Sequence, residues 1–282
     1  MVAADRVAAT VIQGVHGRRR VGQGDAFWQY RPYRDGDSAN QIDWRQSARS
    51  RHLFVRETEW EAAASVWLWR DASPSMQYAS LKNIDTKAVR AELLTLALAS
   101  LLADAGERVA VLGSGMRPTA GRVAVRRIAE TLYDEARDSA KDGGRPLPSL
   151  PPLVPLPAHG TVVLVSDWLD PLDKIEAVIR HYASGGVRGH LVQVLDPAEE
   201  DLPFDGHVKF EGLEAEGQHT IRRVEGVRAA YGARLAAQKE GLHQLTRSTD
   251  WTVHLHRTDR PPQTVLLSLY LAMADLRRLN AA

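Results

Sequence analysis

Five short apolar runs, at residues 66–70, 107–112, 161–166, 189–195 and 251–256, alternate with amphipathic stretches, and this restricts the chain to strands and helices around a parallel sheet. Between the first two runs, Val89, Leu93, Leu96, Ala97 and Leu101 fall on one helical face, which predicts a helix over 86–104. A weaker helix is predicted over 122–138, and others over 225–248 and 264–278. Asp170-Pro171 and Gly185-Gly186 bracket Ile175, Val178, Ile179 and Tyr182 as a capped amphipathic helix. The stretch from Gly143 to Pro157 holds six prolines and reads as a long loop inside the domain. Residues 1–62 lack sustained periodicity and read as an Arg-, Asp- and Trp-rich segment packed on an α/β domain of residues 63–282. Within that segment we expect loops, one N-terminal helix and an early strand over 53–59.

Composition narrows the function classes. The 282 residues suffice for a substantial core, and 25% charged with 44% hydrophobic residues is ordinary globular usage. A formal net charge of +1 supplies no field that would steer the chain to nucleic acid or an anionic membrane. Arg18-Arg19-Arg20, without interleaved aromatics, is a weak nucleic-acid footprint. With no cysteine, disulfides, thiolate metal sites and Cys nucleophiles are excluded. Charge interrupts the N-terminus before a signal-length apolar core forms, and the apolar stretch near Leu93–Leu102 is too short to cross a bilayer. The expectation is a cytoplasmic protein without direct membrane insertion.

Chemistry concentrates where two of the runs end. Ser65-Val66-Trp67-Leu68-Trp69 leads into Arg70-Asp71-Ala72-Ser73-Pro74-Ser75-Met76, and Val162-Val163-Leu164-Val165 leads into Ser166-Asp167. Asp71, Ser73 and Ser75 put three hard oxygen donors in one loop, as Mg²⁺ or Mn²⁺ requires, and Asp167 is a second strand-end carboxylate able to share the ion. In an open α/β sheet such loops converge where strand order reverses. The plain alternative is that both aspartates only cap the turns that follow.

The D-x-S-x-S loop resembles the metal-ion-dependent adhesion site of von Willebrand factor A domains. Upstream, Gly22-Gln23-Gly24-Asp25-Ala26-Phe27, Arg31-Pro32-Tyr33-Arg34-Asp35-Gly36-Asp37, Ile42-Asp43-Trp44 and Val55-Arg56-Glu57 extend the match. Together they resemble the bacterial domain-of-unknown-function 58 family, a branch of the von Willebrand A superfamily, over about residues 15–200. The resemblance implies a doubly wound, mostly parallel α/β sheet with helices on both faces. It implies Mg²⁺ or Mn²⁺ held by Asp71, Ser73, Ser75 and Asp167, and a non-enzymatic role in protein interaction. Family members are commonly encoded beside MoxR-type AAA+ ATPases, so such an ATPase is the implied partner, in a chaperone-like assembly. The chain departs from the pattern twice. The further hydroxyl that related sites take from a Gly-Thr loop has only Thr119 or Ser149 as substitutes, and Arg70 could pair with Asp71 in place of a metal.

Upstream, Asp37 and Asp43 are interleaved with Arg31, Arg34, Arg45 and Arg49, which suits a network of Arg–carboxylate pairs with Trp44 as its buried anchor. Alternatively Arg45, Arg49, Arg51 and Arg56 form a surface for an acidic partner. His254 and His256 lie two apart on a predicted strand, with Trp251, Val253 and Leu255 expected to face the core and the histidines to point away from it. Mg²⁺-dependent phosphoester hydrolysis at Asp71 and Asp167 is the enzymatic alternative. Against it, no general base or phosphate-binding lysine stands out nearby.

Overall fold

A computed structural model describes residues 1–16, 27–33, 42–50, 52–58, 64–141, 146–213 and 217–281. The chain forms two compact units, one of residues 1–14 with 64–282 and one of residues 15–63. The first helix of the N-terminal segment, α1 (Val2–His16), therefore clusters through residue 14 with the larger unit. It buries Ala4, Val7, Ala8 and Val11 at helical spacing, and the Ser100 hydroxyl donates to its Asp5 carboxylate at 3.1 Å.

In the smaller unit, β1 (Phe27–Pro32) pairs antiparallel with β2 (Phe54–Thr58), setting Tyr30 opposite Arg56 and Arg31 opposite Val55. Between them, α2 (Trp44–Ser47) is capped by Asp43, whose carboxylate accepts from the Gln46 N–H at 2.9 Å. The Ser47 hydroxyl, buried, accepts from the Phe54 N–H at 2.9 Å and ties α2 to β2. Trp44 is 64% exposed, so the expectation that it anchors the segment is corrected. The side chain that joins the two elements is Ser47.

The larger unit is built on five parallel strands: β3 (Ser65–Arg70), β4 (Arg108–Val111), β5 (Thr161–Ser166), β6 (Arg188–Leu195) and β9 (Thr252–Arg257). Each starts or ends within a residue or two of the apolar runs, because β-branched and aromatic residues buried on both faces favour central parallel strands. The order is β4-β3-β5-β6-β9. The chain leaves β3 toward β4 on one side, then returns past β3 to β5 on the other, so the reversal falls between β3 and β5.

Helices cover both faces. Against one lie α3 (Lys87–Asp104), α4 (Gly121–Lys141) and α8 (Pro262–Ala281), with α3 reaching β3, β4, β5 and β6. Against the other lie α5 (Leu172–Ser184) and α7 (Arg228–Arg247), where Trp67, Trp69, Val162, Leu164 and Leu191 meet Ile175, Ile179, Tyr182 and Leu242. A short helix, α6 (Pro197–Asp201), and a hairpin, β7 (Val208–Glu211) with β8 (Gln218–Ile221), follow β6. The sequence reading anticipated neither.

Two expectations are corrected in part. On α3, Leu96, Ala97 and Leu101 are buried as expected, but Val89 is 53% exposed, and at the start of the helix Lys87 and Ala91 are buried in its place. On β9 His254 and His256 are buried and Leu255 is 48% exposed. The histidine face of β9 is packed by α8, with His254 Nδ1 lying 3.1 Å from Ser268 Oγ; on the other face Trp251 and Val253 meet the core as expected, and at this edge strand only Leu255 is left open. The proline-rich stretch is a loop inside the domain, as expected: its Leu150, Val154 and Leu156 pack on the Trp67–Tyr182 core, and Pro152 O accepts from the Tyr182 hydroxyl.

Close approach requires glycine at 189, where β6 passes beneath the Trp251 indole. A Cβ there would lie 2.2 Å from the ring. Gly189→Ala is expected to lose about 1–3 kcal/mol or more in urea unfolding as the indole is forced aside. Unchanged stability would contradict this packing.

Candidate functional site

The four residues singled out as possible metal ligands come together at the carboxyl ends of β3 and β5. The backbone sets this up, because the Asp71 N–H donates to Val165 O at 2.8 Å and carries the strand pairing one residue past β3. Ser73, extended at φ −60° and ψ 162°, then starts a 3-10 turn over Pro74–Gln77, with Met76 wholly buried beneath it. Asp71 is completely buried, and Ser73 and Asp167 nearly so.

Every oxygen of the Asp71 carboxylate is matched to a protein donor. Oδ1 accepts from the Ser73 N–H at 2.7 Å, and Oδ2 accepts from the Ser166 hydroxyl at 2.8 Å. Ser75 Oγ lies 3.1 Å from Ser73 Oγ and donates to Asp167 Oδ2 at 3.0 Å. Burial pushes the Asp71 carboxyl up to about 7, against the bonds from Ser73 and Ser166 and with a smaller push from Asp167.

The cation of the site is a residue that sequence reasoning passed over. Lys87, in the first turn of α3 and 1% exposed, sets its Nζ 2.9 Å from Asp167 Oδ2 and 2.5 Å from Glu199 Oε1. Burial works against the charged ammonium, but Asp167 and Glu199 outweigh it and hold the Lys87 pKa above the ordinary lysine value. Burial likewise raises the Glu199 carboxyl, in spite of Lys87. Glu199 is placed by a capping box on α6, in which its Oε2 accepts from the Asp196 N–H at 2.8 Å. Asp196 in turn accepts from the Ala198 N–H at 2.8 Å and from the Ser80 N–H at 2.9 Å. The loops after β3, β5 and β6 are thus bound to one another around Lys87.

A second set of bonds fixes the β5 loop from below. Trp168, buried, holds φ at +52°, a region bulky residues rarely occupy. Its N–H donates to Ser166 Oγ and its indole N–H to Val192 O, each at 3.2 Å. Gln193 Nε2 donates to Asp167 O at 2.8 Å, and Gln238 Nε2 to Trp168 O at 2.9 Å and Asp170 O at 2.8 Å. Held this way, the loop aims the Asp167 carboxylate at Ser75 and Lys87.

The expected pairing of Arg70 with Asp71 is not made. Side chains alternate along a strand, so Arg70 points to the opposite face, where its guanidinium donates to Leu132 O at 3.1 Å and lies 3.9 Å from Glu92. Neither candidate hydroxyl joins the site. Ser149 Oγ donates to Asp170 at 3.1 Å, and Thr119 bridges Val109, partway down β4. Of the upstream residues, Asp43 and the exposed Trp44 and Arg45 lie in the smaller unit at α2, and Arg31 and Arg56 occupy β1 and β2. Asp37, and the side-chain network expected of Arg31 and Arg56, lie outside the described residues.

As a divalent-metal site the donors do not fit. Each oxygen of Asp71 already accepts one protein hydrogen bond, and Asp167 Oδ2 takes two, from Ser75 and from the Lys87 ammonium, whose charge sits where the ion would. Among the described residues no group of three or more His, Asp or Glu side chains is placed to hold one metal ion.

Fold and site together define an α/β protein whose five-stranded parallel sheet carries a buried polar centre at its topological switch point. Residues 29–241 match the family described as Protein of unknown function DUF58, and the chain belongs to that family. It is 24% identical over 259 residues, 89% of this chain and 80% of the relative, to Uncharacterized protein Rv1480 of Mycobacterium tuberculosis strain H37Rv. The same figures hold for Uncharacterized protein Mb1516 of Mycobacterium bovis. No solved structure matches the chain.

The raised Asp71 pKa has a signed consequence for stability. Between about 3.8 and about 7 the folded state keeps a proton that the unfolded state has lost, so stability falls as pH rises through that window and levels off above it. Urea unfolding of wild type and Asp71→Asn at pH 5 and pH 8 is expected to show wild type losing stability relative to the variant, on the order of a few kcal/mol. A constant difference between the two would contradict the burial described for this carboxyl.

Proposed function

We propose that the protein is a non-enzymatic interaction module that docks a protein partner on the loops at the carboxyl edge of its sheet. The observation that carries this reading is the closure of the site. Asp71, Ser73, Lys87 and Asp167 are at most 3% exposed and bonded to one another, so they act as fasteners of the loops. A phosphoester hydrolase would need the same carboxylates open to substrate and water, and their burial weighs against that alternative. A rigid loop edge instead lowers the ordering cost of binding a large partner. Leu81 and Leu169, 50% and 41% exposed on the loops that Lys87 joins, offer apolar contact area at that edge.

For the partner, the resemblance to the domain-of-unknown-function 58 family points to a MoxR-type AAA+ ATPase, in a chaperone-like assembly. Among the described residues no helix is long and apolar enough to cross a membrane. The encounter we propose is a cytoplasmic one.

Biolayer interferometry of the full chain against a MoxR-type ATPase of the same genome, in nucleotide-free, ADP and ATP states, tests the reading. Binding is expected in at least one state and is expected to weaken about tenfold or more in Leu169→Arg, the scale of an interface anchor lost. Absence of binding in every state would remove this partner, and binding untouched by Leu169→Arg and Leu81→Arg would place the interface elsewhere.

A further inference from the structure

We infer that the Lys87 ammonium is the resident cation of this strand-end site, a built-in side-chain charge standing where an adhesion-type site would take a divalent ion. The inference rests on the geometry of the donors and is independent of the docking reading. Three features of the site carry it.

First, the ammonium is built in from all sides. Thr86 caps α3 by accepting from the Val89 N–H at 3.3 Å, and the Lys87 N–H donates to Tyr78 O at 3.2 Å. The backbone of Lys87 is thereby fixed at the loop that carries the D-x-S-x-S residues. Its side chain belongs to the buried stripe of α3 with Ala91 and Leu94, and its charged end meets two carboxylates. A lysine wholly hidden in a first helical turn is unfavourable for burial and for the helix dipole alike. It is tolerated because Asp167 and Glu199 are there to neutralise it.

Second, the oxygens that a metal would need are committed. Asp167 Oδ2 receives the Ser75 hydroxyl and the Lys87 ammonium together, and Ser75 Oγ is in contact with Ser73 Oγ. The Ser75 hydroxyl thus spends its proton on Asp167 Oδ2, and with the ammonium it fills the lone pairs of that oxygen. A divalent ion entering beside Asp167 would stand next to a buried unit charge of the same sign, with the repulsion doubled by its own valence.

Third, Glu199 gives Lys87 a second anchor that lies outside the D-x-S-x-S and Asp167 pattern. It is locked by the α6 capping box, so the ammonium is held between two positioned carboxylates and loses an ion pair if drawn away from either. On the docking reading above, engagement of a partner at this edge then needs no divalent ion and is indifferent to chelators.

Calorimetric titration of Mg²⁺ and of Mn²⁺ into the EDTA-treated full chain, with thermal unfolding in the same buffers, tests the inference. Wild type is expected to give no saturable heat into the low millimolar range and no metal-dependent rise in Tm. Lys87→Gln is expected to unfold at lower temperature without metal and to recover part of that loss with Mn²⁺, a recovery absent from Lys87→Gln with Asp167→Asn. Lys87→Arg, which keeps the charge, is expected to remain insensitive to metal. Saturable binding to wild type that Asp71→Ala or Asp167→Asn abolishes would overturn the inference, and this arm stands even if Lys87→Gln fails to fold. A folded Lys87→Gln as stable as wild type, with or without Mn²⁺, would overturn it as well.

Discussion

A single ammonium group shared by Asp167 and Glu199 organises the functional edge of this protein. Lys87 begins α3, Asp167 follows β5 and Glu199 lies on α6 beyond β6, so one side chain joins segments separated by 80 and 112 positions in the chain. Its loss would leave the buried Asp167 and the partly buried Glu199 without their counter-charge, which is costlier than losing a surface pair. The remaining bonds of the site serve the same junction. Ser75 reaches Asp167, Ser80 reaches Asp196, and Gln193 and Gln238 hold the backbone from which Asp167 projects.

The position of this junction follows from the sheet. In the order β4-β3-β5-β6-β9 the loops after β3 and β5 diverge above the sheet, leaving the gap in which α/β proteins bind their ligands. Here the gap is filled from within by Asp71, Ser73, Ser75 and Lys87. The chain has used the binding position of the fold to build rigidity, and on the proposed docking reading the surface left for recognition is the outer rim of the same loops. A buried carboxylate held near neutrality at Asp71 and a strained Trp168 are both stability costs concentrated at this edge. Such concentration is what a site kept for function would show.

Much of the fold is legible in the sequence because buried parallel strands leave continuous apolar runs. Val162 to Val165 and Leu191 to Leu195 could be read as strands with little ambiguity. The meeting of Asp71 with Asp167 is legible for the same reason, as two carboxylates directly after such runs. The alternative of an Arg70–Asp71 pair is settled by the same strand geometry, since alternation along β3 sends Arg70 to the face opposite Asp71. Lys87 was harder to find. Its signal is a lysine on the 87, 91, 94, 98 stripe of α3, and it becomes visible only once the buried side of the first turns is placed at 87 and 91 and not at Val89. Glu199 carries a local signature in Asp196-Pro197-Ala198-Glu199, a capping box, yet nothing local says that its second oxygen meets a lysine 112 positions away. Exposure of Trp44 and burial of His254 depend on which helix covers which strand, and periodicity alone does not carry that information.

Side-chain ¹⁵N NMR of the lysine ammonium groups tests the central claim most directly, with Lys87→Arg assigning the signal. The account predicts one slowly exchanging Lys87 ammonium resonance, titrating above the ordinary lysine range and unbroadened by paramagnetic Mn²⁺ at millimolar concentration. A Lys87 resonance in fast exchange with solvent, or one bleached by Mn²⁺ bound at Asp71 and Asp167, would contradict it.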